Sequence, residues 1–202
     1  MLDDPRLRPD PFVLITARTE FTFSDAEARN LGEYFLSGGF VHLEVVSQGY
    51  WRAARDEYDL PALRELVRAA CKAVGLREGM DWRFRRLPPD HPLFHCFYDL
   101  EAIPQGYWDG ARMSFVPQPA VPPDYLEGLF IHDQLIGLYS QKDYAFFWAG
   151  GAERSAQQKA LEGQQSAWRF GQSRLPQRLG VNMLVYALTR EGSLAQQLVA
   201  VE

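Results

Sequence analysis

The feature that most constrains this chain is a strand–helix–strand pattern close to its start. Phe12-Val-Leu-Ile-Thr16 is a continuous apolar run between Pro11 and a polar stretch. Such a run suits a strand covered on both faces, as in a parallel sheet. Ser24-Asp-Ala-Glu27 follows and has the form of a capping box. The Ser24 hydroxyl takes the amide of Glu27, and the Glu27 carboxylate reaches back to the amide of Ser24. The spacing predicts a helix to about Ser37 with Leu31, Tyr34 and Phe35 inward, ended by Gly38-Gly39 in left-handed geometry. Phe40-Val-His-Leu-Glu-Val-Val46 is then a second buried strand. Together these make one βαβ unit, whose crossover should be right-handed.

Further along, Pro61 sits at a first-turn position after Asp59, and Gly75 closes a second helix. Leu63, Leu66, Val67, Ala70, Cys71 and Val74 recur at spacings of three and four, a single apolar stripe that makes Cys71 a core residue. Trp82-Arg-Phe-Arg-Arg86 alternates like a short, basic-edged strand, and residues 129–140 fold as a hairpin about His132-Asp133-Gln134. Residues 103–125 hold Pro104, Pro117, Pro119, Pro122 and Pro123 among Tyr107, Trp108, Phe115 and Tyr125. Proline restricts helix and inner-strand use there, which points to a lid or a contact surface. Glu153 to Phe170 reads as helical despite Gly163. Gln177 to Thr189 predicts a largely buried helix, with Val181, Leu184, Val185 and Leu188 on one face and Leu179, Met183 and Tyr186 thickening it. With no repeat and no linker, residues 1–202 form a single domain.

Composition narrows the function classes. Of 202 residues 47% are hydrophobic and 23% charged, so disorder and fibrous repeats are excluded. The net charge is −5, from 21 basic and 26 acidic residues, against the basic surplus that a general nucleic-acid binder needs. No apolar run approaches the roughly 18 residues needed for a membrane span. Met1-Leu2-Asp3-Asp4-Pro5 lacks the flank and apolar core of a signal peptide. A cytoplasmic protein is expected, or a periplasmic one if a longer precursor exists. Cys71 and Cys96 cannot make a zinc site of about four ligands. They form one bridge in an oxidising compartment or, the preferred expectation, two free buried thiols in a reducing one.

In open α/β sheets ligands bind beyond the carboxyl ends of the strands. The candidates there are Thr16, Arg18, Thr19 and Glu20 after the first strand, Glu44, Ser47 and Gln48 at the end of the second, and Ser140, Lys142 and Asp143 after the hairpin. Glu44 stands out, because a carboxylate within a run of Phe, Val and Leu must be paired or desolvated. Its alternatives are an ion pair with Arg18, Arg52 or Lys142, or exposure at the strand terminus. His42 and Glu44 lie two apart, on one side of a strand, yet no third metal ligand is evident. His91 and His95 are separated by Pro92, which breaks the helix that would align them, and Asp90-His91-Pro92 reads as a turn with the aspartate bonding nearby amides. Tyr144, Phe146, Phe147 and Trp148 pack under the sheet edge or form a contact patch. Gly-x-Gly-x-x-Gly, a Walker sequence and a nucleophile elbow are all missing, and Ser47-Gln48-Gly49 lacks the elbow's flanking small residues.

Four stretches taken together resemble a known family. They are Phe21-Thr-Phe-Ser-Asp-Ala-Glu27 leading into Leu36-Ser-Gly-Gly-Phe40, Leu87-Pro-Pro-Asp-His-Pro-Leu-Phe94, Gly137-Leu-Tyr-Ser140 with Asp143, and Gly180-Val-Asn-Met-Leu-Val-Tyr-Ala-Leu188. In this order they are similar to a bacterial domain family of unknown function, often found at the end of longer proteins carrying aerotolerance-type membrane or von Willebrand modules. The resemblance spans roughly residues 10–190. It implies a class I glutamine amidotransferase-like fold, a flavodoxin-like three-layer α/β sandwich with a mostly parallel sheet, here joined by a C-terminal hairpin and a buried helix. It brings no established activity. The family's acidic pair after the Gly-Gly-Phe strand is reduced here to Glu44, and the cysteine or serine elbow of catalytic amidotransferase-like relatives has no counterpart. A preceding strand of longer relatives is short or missing, which would expose a sheet edge and favour a homodimer.

Two functions follow as expectations. The preferred one is a non-catalytic domain that binds a small ligand or a protein partner, with no cofactor. The alternative is a hydrolase or metal-dependent enzyme with Glu44 as general base, assisted by His42, His91 or Asp143, with Ser47 a further candidate.

Overall fold

The computed structural model describes residues 2, 4, 9–46, 60–104, 108–109, 114–115, 125–142, 144–145, 148 and 166–199. In chain order the elements are β1 (Phe12–Ala17), α1 (Asp25–Leu36), β2 (Phe40–Val45), α2 (Pro61–Ala73), β3 (Trp82–Arg86), a 3-10 turn (Pro92–Phe94), β4 (Trp108–Asp109), β5 (Ser114–Phe115), β6 (Glu127–Ile131), β7 (Gln134–Ser140), α3 (Ser166–Thr189) and α4 (Leu194–Val199).

Five strands form one sheet in the order β1-β2-β7-β6-β3, and β4 pairs only with β5. β2 runs parallel to both β1 and β7, whereas β6 is antiparallel to both β7 and β3. Four strands therefore point one way and β6 alone is reversed, an open and mostly parallel mixed sheet. The predicted hairpin is β6–β7, placed inside the sheet with β7 against β2. His132 and Asp133 form its two-residue turn at φ 46° and 66°, the doubly left-handed geometry that follows strand twist.

The first βαβ unit forms as its residues dictate. Both halves of the capping box are present: the Glu27 amide donates to Ser24 Oγ at 3.2 Å, and the Ser24 amide donates to Glu27 Oε2 at 2.9 Å. Gly38, at φ 84°, turns the chain out of α1. Every residue of β2 is buried. Val41, Leu43 and Val45 enter one apolar cluster with α1 and α2, while Phe40 enters a second with Leu179, Met183 and Ala187 of α3. Alternation along the strand sends the two sets to opposite faces, so both faces of the sheet are covered. Each fully buried large side chain contributes about 1.5–3 kcal/mol.

Three expectations need correction. α3 runs unbroken from Ser166 to Thr189 and contains Pro176, where the helix was expected to start at Gln177; of the helix expected over 153–170, residues 153–165 lie outside the described residues. Its inward face is Leu179, Met183 and Ala187, with Asn182 also buried, while Leu184 and Leu188 are exposed. Asn182 fixes this rotation: its side chain accepts from the Tyr98 amide and donates to the Tyr98 carbonyl, each at 2.8 Å. A two-bond buried amide outweighs the choice of which leucines to bury. Finally, Cys96 is exposed, where two buried thiols were expected. It bonds the Asn182 carbonyl on the α3 face, whereas Cys71 is buried in the cluster under α1 and α2. The sheet lies between the two thiols, and both are free. Burial pushes the Cys71 thiol up to about 12.

α1 and α2 are in close contact at Gly32, where an added Cβ would lie 2.3 Å from the Ala70 carbonyl oxygen. Helix propensity alone favours Ala over Gly by about 1 kcal/mol. The clash reverses the sign, and Gly32→Ala is expected to destabilise the fold by about 1–3 kcal/mol, measured by urea unfolding.

Candidate functional site

The strands that end together at one margin place Thr16, Glu44 and Ser140 in a row, since Thr16 is registered with Glu44 and Glu44 with Ser140. Glu44 is completely buried. Among the described residues no guanidinium pairs with it. Its Oε1 accepts from the Tyr144 amide at 2.7 Å, and its Oε2 accepts from the Ala145 amide at 2.5 Å. Residues 144, 145 and 148 are helical, and N–H groups at the start of a helix have no partners within it. The carboxylate supplies them. Glu20 acts in the same way on α2, whose N-cap Leu60 offers no side-chain acceptor: Glu20 Oε2 accepts from the Ala62 amide at 3.2 Å.

His42 lies on the same face as Glu44 and is also fully buried. Its Nε2 is 3.6 Å from Glu44 Oε1, too long for a hydrogen bond, and has no other partner. Its Nδ1 lies 3.1 Å from Met183 Sδ. A thioether only accepts, so Nδ1 is the donor in this contact. The imidazole edge meets the rings of Tyr144 and Trp148, with centroids 6.3 and 5.4 Å away.

Four hydrogen bonds hold Tyr144, Ala145 and Trp148 over this pair. Besides the Glu44 contacts, the Tyr144 hydroxyl donates to the Pro104 carbonyl, and Trp148 Nε1 donates to the Pro176 carbonyl at 2.9 Å. Burial, and then the charge of Glu44, hold the Tyr144 phenol well above its ordinary range, so it remains a donor. The Trp148 ring packs on Gly180, where a Cβ would stand 2.9 Å from the indole.

The remaining candidates disperse. The Ser140 hydroxyl, buried, accepts from the Lys142 amide at 3.1 Å, and Lys142 is itself buried. Thr16, Arg18 and Thr19 are exposed. Ser47, Gln48, Arg52, Phe146, Phe147 and Asp143 lie outside the described residues. His91 keeps its own company: Nδ1 accepts from the Leu93 amide at 3.2 Å, so it is the histidine, not Asp90, that bonds this amide, and the ring packs on Phe130 and Tyr186. His95 bonds Asp99 and the Pro89 carbonyl. Among the described residues, no three of His, Cys, Asp and Glu converge to hold a metal ion, and no helix is long and apolar enough to cross a membrane. Sequence reasoning missed Asn182 and Met183 as positioning residues. An asparagine within an apolar helical run was the available signal, since such a residue needs buried partners.

The protein is thus of the mixed α/β class, with a mostly parallel open sheet and a sealed His–Glu pair at its strand ends. The family model of a domain of unknown function, DUF4159, matches residues 1–188, and the chain belongs to that family. No curated protein matches it.

Two measurements test this geometry. Glu44→Gln turns a carboxamide N–H₂ against one of the two backbone N–H groups and leaves it unpaired. The expected loss is about 1–3 kcal/mol in urea unfolding. The histidines should titrate on opposite sides of 6.5: burial and then Arg85 lower His91, while Asp99 and then the Pro89 carbonyl raise His95. For His91 the unfolded chain takes the proton first, so this group lowers stability as pH falls below 6.5. His95 stabilises at low pH and loses that contribution as pH rises through its raised pKa. Imidazole NMR titration should show this order, and Arg85→Ala should move His91 upward without moving His95.

Proposed function

We propose that this domain binds a small ligand or a protein partner without catalysing a reaction, on a flavodoxin-like, amidotransferase-like sandwich that has no nucleophile elbow. One observation carries the reading: Glu44, the carboxylate placed where a general base would stand, is fully buried with a backbone N–H on each oxygen. A general base must reach the proton it abstracts within about 3 Å. Glu44 reaches only the chain that covers it. The apolar clusters on both faces of the sheet support the sandwich, and the reversed β6 is a departure from an all-parallel arrangement.

The test is a melting-temperature screen of the whole chain against divalent metals, sugars and nucleotides, run beside hydrolysis assays. A ligand that binds only the native form raises the midpoint in a saturable way, and no turnover should accompany it. Turnover that disappears in Glu44→Gln, while the near-UV spectrum stays native, would sink the proposal in favour of catalysis by Glu44.

A further inference from the structure

The two margins of the five-stranded sheet are built differently. β3, at one margin, carries Arg83, Arg85 and Arg86. Arg83 pairs with Asp133 at 2.6 Å, and the Arg85 guanidinium lies 3.6 Å over the Phe130 ring. Charge on an edge strand discourages pairing with another chain. β1, at the other margin, is Phe-Val-Leu-Ile-Thr-Ala and holds no charge. Among the described residues no strand lies on its outer side.

The backbone of β1 shows which groups face outward. The Phe40 amide donates to the Pro11 carbonyl and the Val46 amide to the Ala17 carbonyl, so the odd-numbered residues turn their hydrogen-bonding groups to β2. In a parallel ladder the alternate residues Phe12, Leu14 and Thr16 then aim theirs away from it. Leu14 is also 39% exposed, and it shares the sheet face of its register partner His42, the face that α3 covers. Asn182 and Tyr186 of α3 turn towards Tyr98 and His91. At 3.6 residues per turn, Leu184 and Leu188 fall on the other flank of the helix, the β1 side, and both are exposed. Charges stand only beyond the two ends of β1. Asp10 and Arg18 are exposed, opposite in sign, and in no ion pair among the described residues.

We propose that β1 is the seam of a homodimer, paired antiparallel with β1 of a second copy about a two-fold axis at Leu14. This register sets Leu14 against the second copy's Leu14 and Phe12 against its Thr16. These are the residues whose backbone groups aim outward, so each pair exchanges both N–H···O bonds. The same register brings Asp10 opposite the second copy's Arg18, twice by symmetry. Complementary charges at both ends fix the register, and the contact is self-complementary, as a two-fold requires. The exposed leucines of α3 flank the seam. The inference stands apart from the reading of Glu44, since it uses neither that residue nor any bound ligand.

Sedimentation velocity of the full chain over a concentration series tests it. The wild type should dimerise. Asp10→Arg opposes two positive charges across the seam and Arg18→Asp opposes two negative ones, so each should weaken the dimer about tenfold or more. Mixed in equal amounts, the two variants place opposite charges at both contacts, and association should return. Arg83→Asp, on the far margin, should leave the dimer unchanged. A wild type that remains monomeric at every concentration overturns the proposal. So does a dimer that neither variant weakens, one that Arg83→Asp weakens, or variants that fail to associate when mixed. Circular dichroism shows that the variants are folded.

Discussion

The constraint on which the rest depends is the complete burial of β2. A strand covered on both faces can find partners for its polar groups only within the protein, and on β2 the Nε2 of His42 is left without one. β2 carries two polar side chains, His42 and Glu44, both directed at the α3 face. Their presence sets the requirements for everything above them: two backbone amides for the carboxylate, a sulfur acceptor for the imidazole, and aromatic rings to exclude water. Tyr144, Ala145, Trp148 and the middle of α3 meet them from 100 or more positions further along the chain. A merely apolar β2 would have packed against many helices. This one selects its cover.

Local chemistry made the first half of the fold legible. The capping box, the Gly38-Gly39 exit, the stripe of α2 and the hairpin turn depend on neighbours within a few residues, and the structure agrees with each of them. The reading failed where distant contacts decide. The rotation of α3 is set by Asn182 against Tyr98, and the apolar pattern alone put Leu184 and Leu188 inward and passed over Asn182 and Ala187. The placement of the predicted hairpin inside the sheet depends on β7 joining β2, a pairing between strands far apart in sequence. The exposure of Cys96 depends on a non-helical turn that no periodicity encodes.

The candidate site was legible in a different sense. Residue types singled out Glu44 and its place at a strand end, because a carboxylate inside an apolar run must find compensation. They did not reveal what compensates it. Arginine and lysine were the natural suspects, and among the described residues two backbone amides in a helical stretch bond its oxygens. Glu20 repeats the solution on α2. Two acidic side chains after two parallel strands thus perform structural work that in other α/β proteins falls to a helix's own N-cap residue.

Gly38 and Gly39 have a second role beyond ending α1. Their carbonyls receive the Arg190 guanidinium at 2.9 and 3.2 Å, and the Leu194 amide also donates to Gly38 at 2.9 Å. The earliest βαβ unit is therefore sealed by residues some 150 positions away, just beyond the stretch that the family model matches. Contacts of such sequence separation form slowly, because a long loop must close first. As the polypeptide leaves a ribosome, the Gly38 and Gly39 carbonyls keep water as their partner until Arg190 and Leu194 have been made.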